Sequence, residues 1–254
     1  MAFPDWFNLK FCEYTPELYR DEVSQTGHQV EALASFLGAP ADAPLLDLCC
    51  GWGRHAVPLA EKGYKVVGVD GSACFLERVQ REPALPAGAC LSLVRGDMRR
   101  LPLKDISCAA AIQMYTSFGY GTDPADDMRV LRQVHRVLEP GAYYLLDLIN
   151  WTVARRAFDG NFEQEYPSFD VVERCRIDPK KDLLHIKRAL LFRDGRPAHI
   201  YEFEIRMFDS DTLCGLLTEA GFRVQDIWGD FDCSQYRPDR SCRMITVARK
   251  GDVD

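Results

Sequence analysis

The sequence predicts an α/β protein with a doubly wound, mostly parallel sheet of seven strands and helices on both faces, plus a small antiparallel sheet inserted after the fifth strand. Two patterns indicate this fold. Short apolar segments alternate with helical apolar stripes over residues 45–150, as in proteins with a parallel sheet. Over residues 151–207 the apolar period changes to two, which is typical of antiparallel strands, and the first pattern then returns.

The length and composition suit one large domain with an insertion. With 254 residues, 47% of them hydrophobic, the chain can bury a full core. We expect four parts: an N-terminal helical arm at 1–44, a ligand-binding core at 45–150, an antiparallel insertion at 151–207 and the C-terminal part of the core at 208–254.

The N-terminal arm is predicted to contain two helices. Thr15 and Pro16 form an N-cap followed by proline at the first helical position, and a second apolar stripe ends at Gly38. The arm is also rich in aromatic residues: Phe3, Trp6, Phe7, Phe11, Tyr14 and Tyr19. These residues are expected either to cover a bound ligand or only to pack on the core.

The core is predicted to begin with a strand ending in Asp47, a turn through Gly51-Trp52-Gly53 and a helix. Pro58 falls inside that helix, so the helix is expected to begin late or to kink. A second strand leads to Asp70. The remaining predicted elements are a helix from Ser72, strands at 91–94, 108–114 and 143–148, a loop at 115–121, and a helix from Asp123 to Leu138 that Pro140-Gly141 ends.

Alternating apolar residues predict three strands in the insertion, at 169–177, 184–192 and 199–205. Because the insertion follows the fifth strand at its carboxyl end, we expect it to roof a ligand pocket; oligomerisation or simple covering are the alternatives. The chain then continues with a helix that Asp209 or Ser210 caps and Gly221 ends, and with strands at 222–228 and 243–248.

The composition excludes several classes of protein. A formal charge of −7 argues against sequence-independent binding of nucleic acid, and no apolar run is long enough to span a membrane. The ten cysteines contain no CxxC and the five histidines are scattered, so no metal site is expected. Without a signal pattern, the chain is expected to be cytoplasmic, with reduced thiols, as a monomer or homodimer.

The segment from Leu45 to Asp70 predicts a site for an adenosine-containing ligand. Gly51 and Gly53 allow a ligand to approach the backbone, and Asp70 can accept both hydroxyls of a ribose. The segment also satisfies G-x-G-x-x-A with Ala56 in the third place, which leaves an NAD-dependent oxidoreductase as an alternative.

Two features favour S-adenosylmethionine over NAD. Asp47 lies where it would face the ligand, and an acid suits an ammonium and a sulfonium but repels a pyrophosphate. A third apolar segment leads to Gly96-Asp97-Met98, whose side chains and backbone could meet an adenine ring.

Four segments together resemble the class I S-adenosylmethionine-dependent methyltransferases of the Rossmann-like superfamily: residues 47–55, 69–72, 96–98 and 138–141. The resemblance covers residues 28–150 and, more loosely, 208–250. It implies that the last two strands form an antiparallel hairpin. The residues expected to bind the cofactor are Asp47, Cys49, Gly51, Gly53, Asp70, Gly71, Asp97, Met98, Gln113, Tyr14 and Tyr19.

Methyl transfer from a sulfonium requires mainly that the acceptor be held in line with the methyl group, and it requires a base only if the acceptor keeps a proton. The candidate catalytic residues are His199, Tyr201 and Tyr115. Tyr115, Phe118, Asn150 and Trp151 are the expected acceptor-binding residues. We expect transfer to O or N of a small molecule; a non-catalytic S-adenosylmethionine-binding protein stays open.

Overall fold

The structure is a computed structural model that describes residues 14–81, 89–121, 123–158 and 160–251, without the side chains of residues 15, 16 and 22. The aromatic residues Phe3, Trp6, Phe7 and Phe11 lie outside the described residues. The predictions that concern them are therefore not addressed by this structure.

Eleven strands form two separate sheets among the described residues. In chain order they are β1 Leu45–Leu48, β2 Lys65–Asp70, β3 Cys90–Arg95, β4 Cys108–Gln113, β5 Leu138–Ile149, β6 Gly160–Glu165, β7 Phe169–Asp178, β8 Leu183–Phe192, β9 His199–Arg206, β10 Phe222–Trp228 and β11 Arg243–Lys250. The helices are α1 Thr15–Leu18, α2 Arg20–Ser24, α3 Thr26–Leu37, α4 Ala56–Glu61, α5 Ala73–Arg81, α6 Pro124–Val137, α7 Trp151–Ala154 and α8 Ser210–Glu219.

The main sheet has seven strands in the order β10-β11-β5-β4-β1-β2-β3. Strands β3, β2, β1, β4 and β5 are parallel, whereas β11 runs antiparallel to both β5 and β10. The predicted fold class and the predicted terminal hairpin are both confirmed. The strand order changes direction between β1 and β4, and open α/β sheets bind ligands at the carboxyl ends beside such a switch point.

Helices cover both faces of this sheet. Successive side chains of its buried strands point to opposite faces, and both sets of side chains are apolar. Leu46, Leu48 and Tyr144 pack with α6 and α8 on one face. Leu45 and Leu145 pack with α3 and α4 on the other. Both faces of the sheet are therefore covered, so a ligand site has to lie at the ends of the strands.

Side-chain caps begin two helices where the sequence predicts them. Asp123 accepts a hydrogen bond from the backbone N–H of Ala125 at 2.9 Å, and Asp209 accepts one from Thr212 at 2.8 Å. Helix α4 begins late, at Ala56, so that Pro58 falls in the first turn, where a backbone N–H has no partner within the helix.

Two boundaries differ from the prediction. Helix α6 ends at Val137 rather than Leu138, and β5 already begins at Leu138. Pro140 and Gly141 therefore lie inside a strand instead of ending a helix. They occupy a register irregularity between β5 and β4, where a missing backbone N–H does not interrupt the ladder.

The second sheet is antiparallel, in the order β6-β7-β8-β9, and lies in the chain between β5 and α8. The sequence analysis missed β6 because all of its side chains are exposed, so it has no apolar alternation. The first helices pack on this sheet: the Tyr166 hydroxyl donates to the Leu18 carbonyl at 3.1 Å, and the Ser168 N–H donates to the Glu17 carboxylate at 2.7 Å.

Three further observations concern the composition. Among the described residues, no helix is long and apolar enough to cross a membrane, and no group of three or more acidic, histidine or cysteine side chains could hold a metal ion. Cys74 is disulfide-bonded, so the expectation that all thiols are reduced is wrong for this residue.

Candidate active site

A cleft of about 1040 Å³, including its open mouth, lies at the carboxyl ends of β1, β2 and β4. Its walls come from the turn after β1, the end of β2, the loop after β4 and the N-terminal helices. The cleft therefore lies at the edge of the sheet that the strand order indicates.

The turn after β1 forms the floor of the cleft. Cys49 and Gly51 both have left-handed backbone conformations, with φ values of 60° and 55°. The Gly51 N–H donates to Asp70 Oδ2 at 2.8 Å, which ties the turn to the end of β2. Both residues line the cleft, whereas Gly53 faces inward, where an added Cβ would lie 3.1–3.2 Å from Val57 and Val79.

Asp47, at the end of β1, has an unsatisfied oxygen. The residue is only 2% exposed, and Oδ2 has no hydrogen-bond partner. Burial, together with the nearby Asp70 carboxylate, raises the pKa of Asp47 to about 8, while Arg54 opposes the shift. Since Asp47 lines the cleft, this oxygen can accept a hydrogen bond from a cationic ligand there.

Asp70 is held in place by the backbone around it. Oδ1 accepts from the Ser72 N–H and Oδ2 from the Gly51 N–H, both at 2.8 Å. Burial raises the pKa of this carboxyl, although these hydrogen bonds oppose the shift. Because each carboxylate oxygen has two lone pairs, both can still accept from a ligand hydroxyl.

Three residues predicted to bind the cofactor occupy different places in the structure: Met98, Asp97 and Gln113. Met98 lines the cleft. The Asp97 carboxylate lies outside the wall and pairs with Arg99, whose Nη2 is 2.7 Å from Oδ2. Gln113 is fully buried behind the wall, where it donates to the Ser117 carbonyl at 2.9 Å and accepts from the Tyr144 hydroxyl at 2.6 Å.

Gly71 and Tyr14 also lie outside the cleft wall. The Gly71 carbonyl accepts from Arg95 at 3.1 Å. The Tyr14 ring packs on Phe192, with centroids 4.8 Å apart, and its hydroxyl accepts from Arg196 at 2.9 Å. Both residues therefore support neighbouring segments rather than line the cleft.

An aromatic wall closes the outer side of the cleft. It includes Tyr19, Trp52, Phe75, Tyr115 and Tyr120. Tyr19 stacks on Trp52 with ring centroids 5.9 Å apart, and it meets the edge of Tyr115 at 5.6 Å. Tyr19 is thus the residue through which the N-terminal helices reach the site.

Tyr115 is held by the loop after β4 in a left-handed conformation, with a φ of 59°. Its N–H donates to the buried Asp147 carboxylate at 2.9 Å. Its ring lies between two guanidinium groups, 5.3 Å from that of Arg54 and 5.5 Å from that of Arg243. The predicted catalytic candidate Tyr115 therefore does line the cleft.

The structure removes three predicted acceptor-binding residues from the cleft. Phe118 is 1% exposed and packs on Phe208 in the core. Asn150 is fully buried and caps α7, while its side-chain amide donates to two backbone carbonyls. Trp151 is 3% exposed in the core under the second sheet. All three follow strand ends, but their side chains turn away from the carboxyl edge.

The catalytic candidates His199 and Tyr201 also lie away from the cleft wall. They share one face of β9, as the alternation predicts, but that face packs on the N-terminal helices. The His199 ring lies against Tyr14, and the Tyr201 hydroxyl accepts from Arg188 at 3.1 Å. Their catalytic role stays a prediction, since alternation does not specify what a face packs against.

Several wall residues escaped the sequence analysis. Arg54 and His55 directly follow the glycine turn, and Ser117 and Tyr120 lie in the loop at the end of β4. Their position beside a predicted binding turn or strand end is the sequence signal that could have identified them. The His55 ring contacts Gln29 Oε1 at 2.9 Å, and burial lowers the pKa of His55 well below the usual value. The buried Ser117 hydroxyl has no partner within the described protein.

Comparison with known proteins gives consistent results. Residues 45–141 match a family model described as a methyltransferase domain. The chain is 30% identical over 213 residues to the glycine/sarcosine N-methyltransferase of Halorhodospira halochloris, which is 81% of this chain and 75% of that protein. It is 36% identical over 133 residues to a 2-phytyl-1,4-naphtoquinone methyltransferase of Nostoc punctiforme, 48% of this chain and 54% of the relative.

The fold is also shared with a solved structure. An S-adenosylmethionine-dependent methyltransferase from Clostridium acetobutylicum superposes with a TM-score of 0.80 at 17% sequence identity, over 95% of this chain and 98% of the other. The oxidoreductase alternative is therefore set aside. By its sequence relatives and its fold, this chain belongs to the class I S-adenosylmethionine-dependent methyltransferases, enzymes that use S-adenosylmethionine as methyl donor.

Proposed function

We propose that the enzyme transfers the methyl group of S-adenosylmethionine to an O or N atom of a small-molecule acceptor. The observation that carries this proposal is the lining of the cleft: a floor with the Asp47 and Asp70 carboxyl groups faces an aromatic wall. The formal charge of −7 supports a small acceptor over nucleic acid.

Nitrogen is the acceptor atom to test first. The Halorhodospira halochloris relative is a glycine/sarcosine N-methyltransferase. The Nostoc punctiforme relative, which acts on a naphthoquinone, matches about half of this chain. The longer match thus favours a small amine, although the two relatives differ in acceptor.

The cofactor would lie across the floor of the cleft. Asp70 would accept the two ribose hydroxyls, Asp47 would accept from the ammonium, and Met98 would pack on the adenine. The unpartnered Oδ2 of Asp47 supports this fit, because a buried oxygen without a donor is costly unless a ligand satisfies it. Cys49 and Gly51 would present their backbone to the cofactor.

Four other residues predicted to bind the cofactor would instead hold the segments around it in place: Gly53, Gln113, Asp97 and Gly71. Gly53 allows the tight turn, and Gln113 supports the loop after β4 from behind. Asp97 fixes Arg99, and Gly71 holds Arg95, beside the adenine end.

The chemistry needs little from the side chains beyond position. When bound, S-adenosylmethionine supplies a methyl group already activated by its sulfonium. The aromatic wall would exclude water and hold the acceptor at attack distance, an effect worth up to ~7–11 kcal/mol in model reactions. Tyr115 and the unpartnered Ser117 hydroxyl are the groups that could orient the acceptor or take a proton from it.

Tyr19 and the second sheet would complete the acceptor side. Tyr19 covers the cleft and directly follows α1, whose Leu18 packs on β7, β8 and β9. The second sheet would therefore act as a lid through the N-terminal helices. We further propose a cytoplasmic enzyme, as a monomer or homodimer.

The test is an acceptor screen with methyl-labelled S-adenosylmethionine. Small amines, amino acids, alcohols and phenols are compared with total RNA and with protein, and labelled product is identified by mass spectrometry. We expect label on a small amine or hydroxyl compound. Label found only on RNA or protein would overturn the choice of acceptor, and cofactor binding without turnover on any acceptor would favour a binding protein.

A further inference from the structure

Two consecutive residues of the loop after β4 have strained backbones. Tyr115 and Thr116 have φ values of 59° and 54°, in the left-handed region that residues with a Cβ rarely adopt. Such a conformation costs free energy and persists only where the surrounding structure holds it. Since Tyr115 lines the cleft, the groups that hold this loop also fix part of the cleft wall.

The end of β5 holds both strained residues. The Tyr115 N–H donates to Asp147 Oδ2 at 2.9 Å, and the Thr116 N–H donates to the Asp147 carbonyl at 2.9 Å. In return, the Ile149 N–H donates to Thr116 Oγ1 at 2.8 Å. Asp147 therefore contacts both residues, and it contacts Tyr115 through its side chain.

Arg243, on the neighbouring strand β11, holds the Asp147 carboxylate in turn. Asp147 is 1% exposed, and its Oδ1 accepts a hydrogen bond from Arg243 Nε at 2.5 Å. The Arg243 guanidinium carbon also lies 5.5 Å from the centre of the Tyr115 ring. The pair therefore meets Tyr115 at two places: Asp147 at the backbone N–H, and Arg243 at the ring.

This arrangement is not the one that stability alone would favour. Arg243 Nη2 is buried without a hydrogen-bond partner among the described residues. A buried donor without an acceptor is costly, and so are two left-handed residues in sequence. Costs of this kind concentrate at functional sites, where a fixed geometry matters more than stability.

We propose that Asp147 and Arg243 are positioning residues that hold Tyr115 in the cleft wall, where it meets the methyl acceptor. This inference rests on the proposed function, which places the acceptor at the aromatic wall. Neither residue is among the described residues that line the cleft, so both act through Tyr115. Because in-line transfer depends on distance and angle, a shift of about 1 Å in a wall residue can lower the rate roughly 100-fold.

The first measurement follows the position of Tyr115 without any ligand. The protein is produced with fluorine-labelled tyrosine, and the Tyr115 resonance is assigned as the signal that Tyr115→Phe lacks. We expect Arg243→Lys, which keeps the charge but not the planar guanidinium, to shift or broaden this resonance. Asp147→Asn, which loses one acceptor oxygen, should act in the same direction and serves if the lysine variant does not fold.

Arg136→Lys is the matched control. The Arg136 guanidinium pairs with Asp105 at 2.5 Å, and its side chain is 28% exposed, against 20% for Arg243. Arg136 lies in the last turn of α6, outside the described lining of the cleft. The control should leave the Tyr115 resonance in place, which separates a specific effect of Arg243 from the general loss of an ion pair.

The second measurement is the rate of transfer from methyl-labelled S-adenosylmethionine to the small amines and phenols of the acceptor screen. Arg243→Lys should lower kcat/KM for the acceptor roughly 10- to 100-fold and leave the calorimetric affinity for S-adenosylhomocysteine within about twofold. The same substitution should cause no further loss in Tyr115→Ala if Arg243 acts through Tyr115, whereas a purely structural effect would add in the double variant.

The other outcomes overturn the proposal. An unchanged Tyr115 resonance in both Arg243→Lys and Asp147→Asn would mean that neither residue holds the ring. A changed resonance with an unchanged rate would separate the pair from the acceptor, and additive losses in Tyr115→Ala would make its effect structural. If the wild-type chain methylates no acceptor, the proposed function fails, while the resonance still decides whether the pair holds Tyr115.

Discussion

Replacement of Asp47 by asparagine should make the ligand-free protein more stable at pH 8. In the native state Asp47 is buried and its pKa is raised from 3.8 to about 8. In the unfolded chain the same carboxyl ionises near pH 4. Between these values the native state retains a proton that the unfolded chain has lost, so the free energy of unfolding falls as pH rises, by about 1.4 kcal/mol per unit.

The magnitude follows from the shift. A difference of about 4 units corresponds to about 5 kcal/mol of stability lost by pH 8, and about 4 kcal/mol by pH 7. Asparagine has a similar shape and no charge, so it does not contribute this loss. We expect Asp47→Asn to resemble the wild type near pH 4–5 and to exceed it by several kcal/mol at pH 8.

The assay is urea denaturation of both proteins without cofactor at pH 5 and pH 8, at fixed ionic strength. Only the difference between variant and wild type is used, because other carboxyls titrate in both proteins. Asp42→Asn is the matched control, since the Asp42 side chain is fully exposed. Its difference from wild type should be small at both pH values.

A variant that gains no stability between pH 5 and pH 8 would refute the reasoning. It would mean that the Asp47 carboxyl is stabilised in its charged form by groups other than Arg54. The same variant should bind S-adenosylmethionine more weakly, because the amide presents no charge to the ammonium. Stability and cofactor binding should therefore change in opposite directions.

Three further substitutions test the cleft. Asp70→Ala should weaken S-adenosylmethionine binding by about 1.5–3 kcal/mol through lost ribose hydrogen bonds; unchanged affinity in calorimetry would place the ribose elsewhere. Asp147→Asn should destabilise the protein by about 1.5–3 kcal/mol in urea denaturation, because it removes the charged partner of Arg243, whose side chain is 20% exposed; a double variant with Arg243→Met should recover part of this. Tyr19→Leu should raise the KM of the acceptor, since Tyr19 covers the cleft from its edge; an unchanged KM in the folded variant would argue against the cover.

The local patterns were sufficient for most of the main sheet. Apolar segments between turn signals marked all seven strands, and the acids at 123 and 209 marked two helix starts, because capping depends only on neighbouring residues. Strand β6 could not be found in this way. Strand β6 is the edge strand of the second sheet and pairs with β7 through backbone hydrogen bonds. Because this pairing does not depend on a side-chain pattern, the sequence does not reveal it.

The residues of the cleft also fall into two groups: those that a local pattern identifies and those that only contacts distant in the chain place. Asp47, Gly51 and Asp70 could be placed because they end parallel strands or follow them, and parallel strands end at one edge. Asn150 also follows such a strand, but contacts 86–91 residues further along the chain bury it completely. Nothing within its own segment distinguishes it from a ligand-binding residue.

The sequence by itself determined the α/β class, the glycine turn and the two acids of the floor, since each depends on a pattern within about thirty residues. Only the tertiary structure decided which aromatic side chains form the wall and where His199 and Tyr201 point. Tyr19, Trp52, Tyr115 and Tyr120 come from three separate segments. Their meeting depends on how helices and sheets pack, and packing partners far apart in the chain are not encoded in local periodicity.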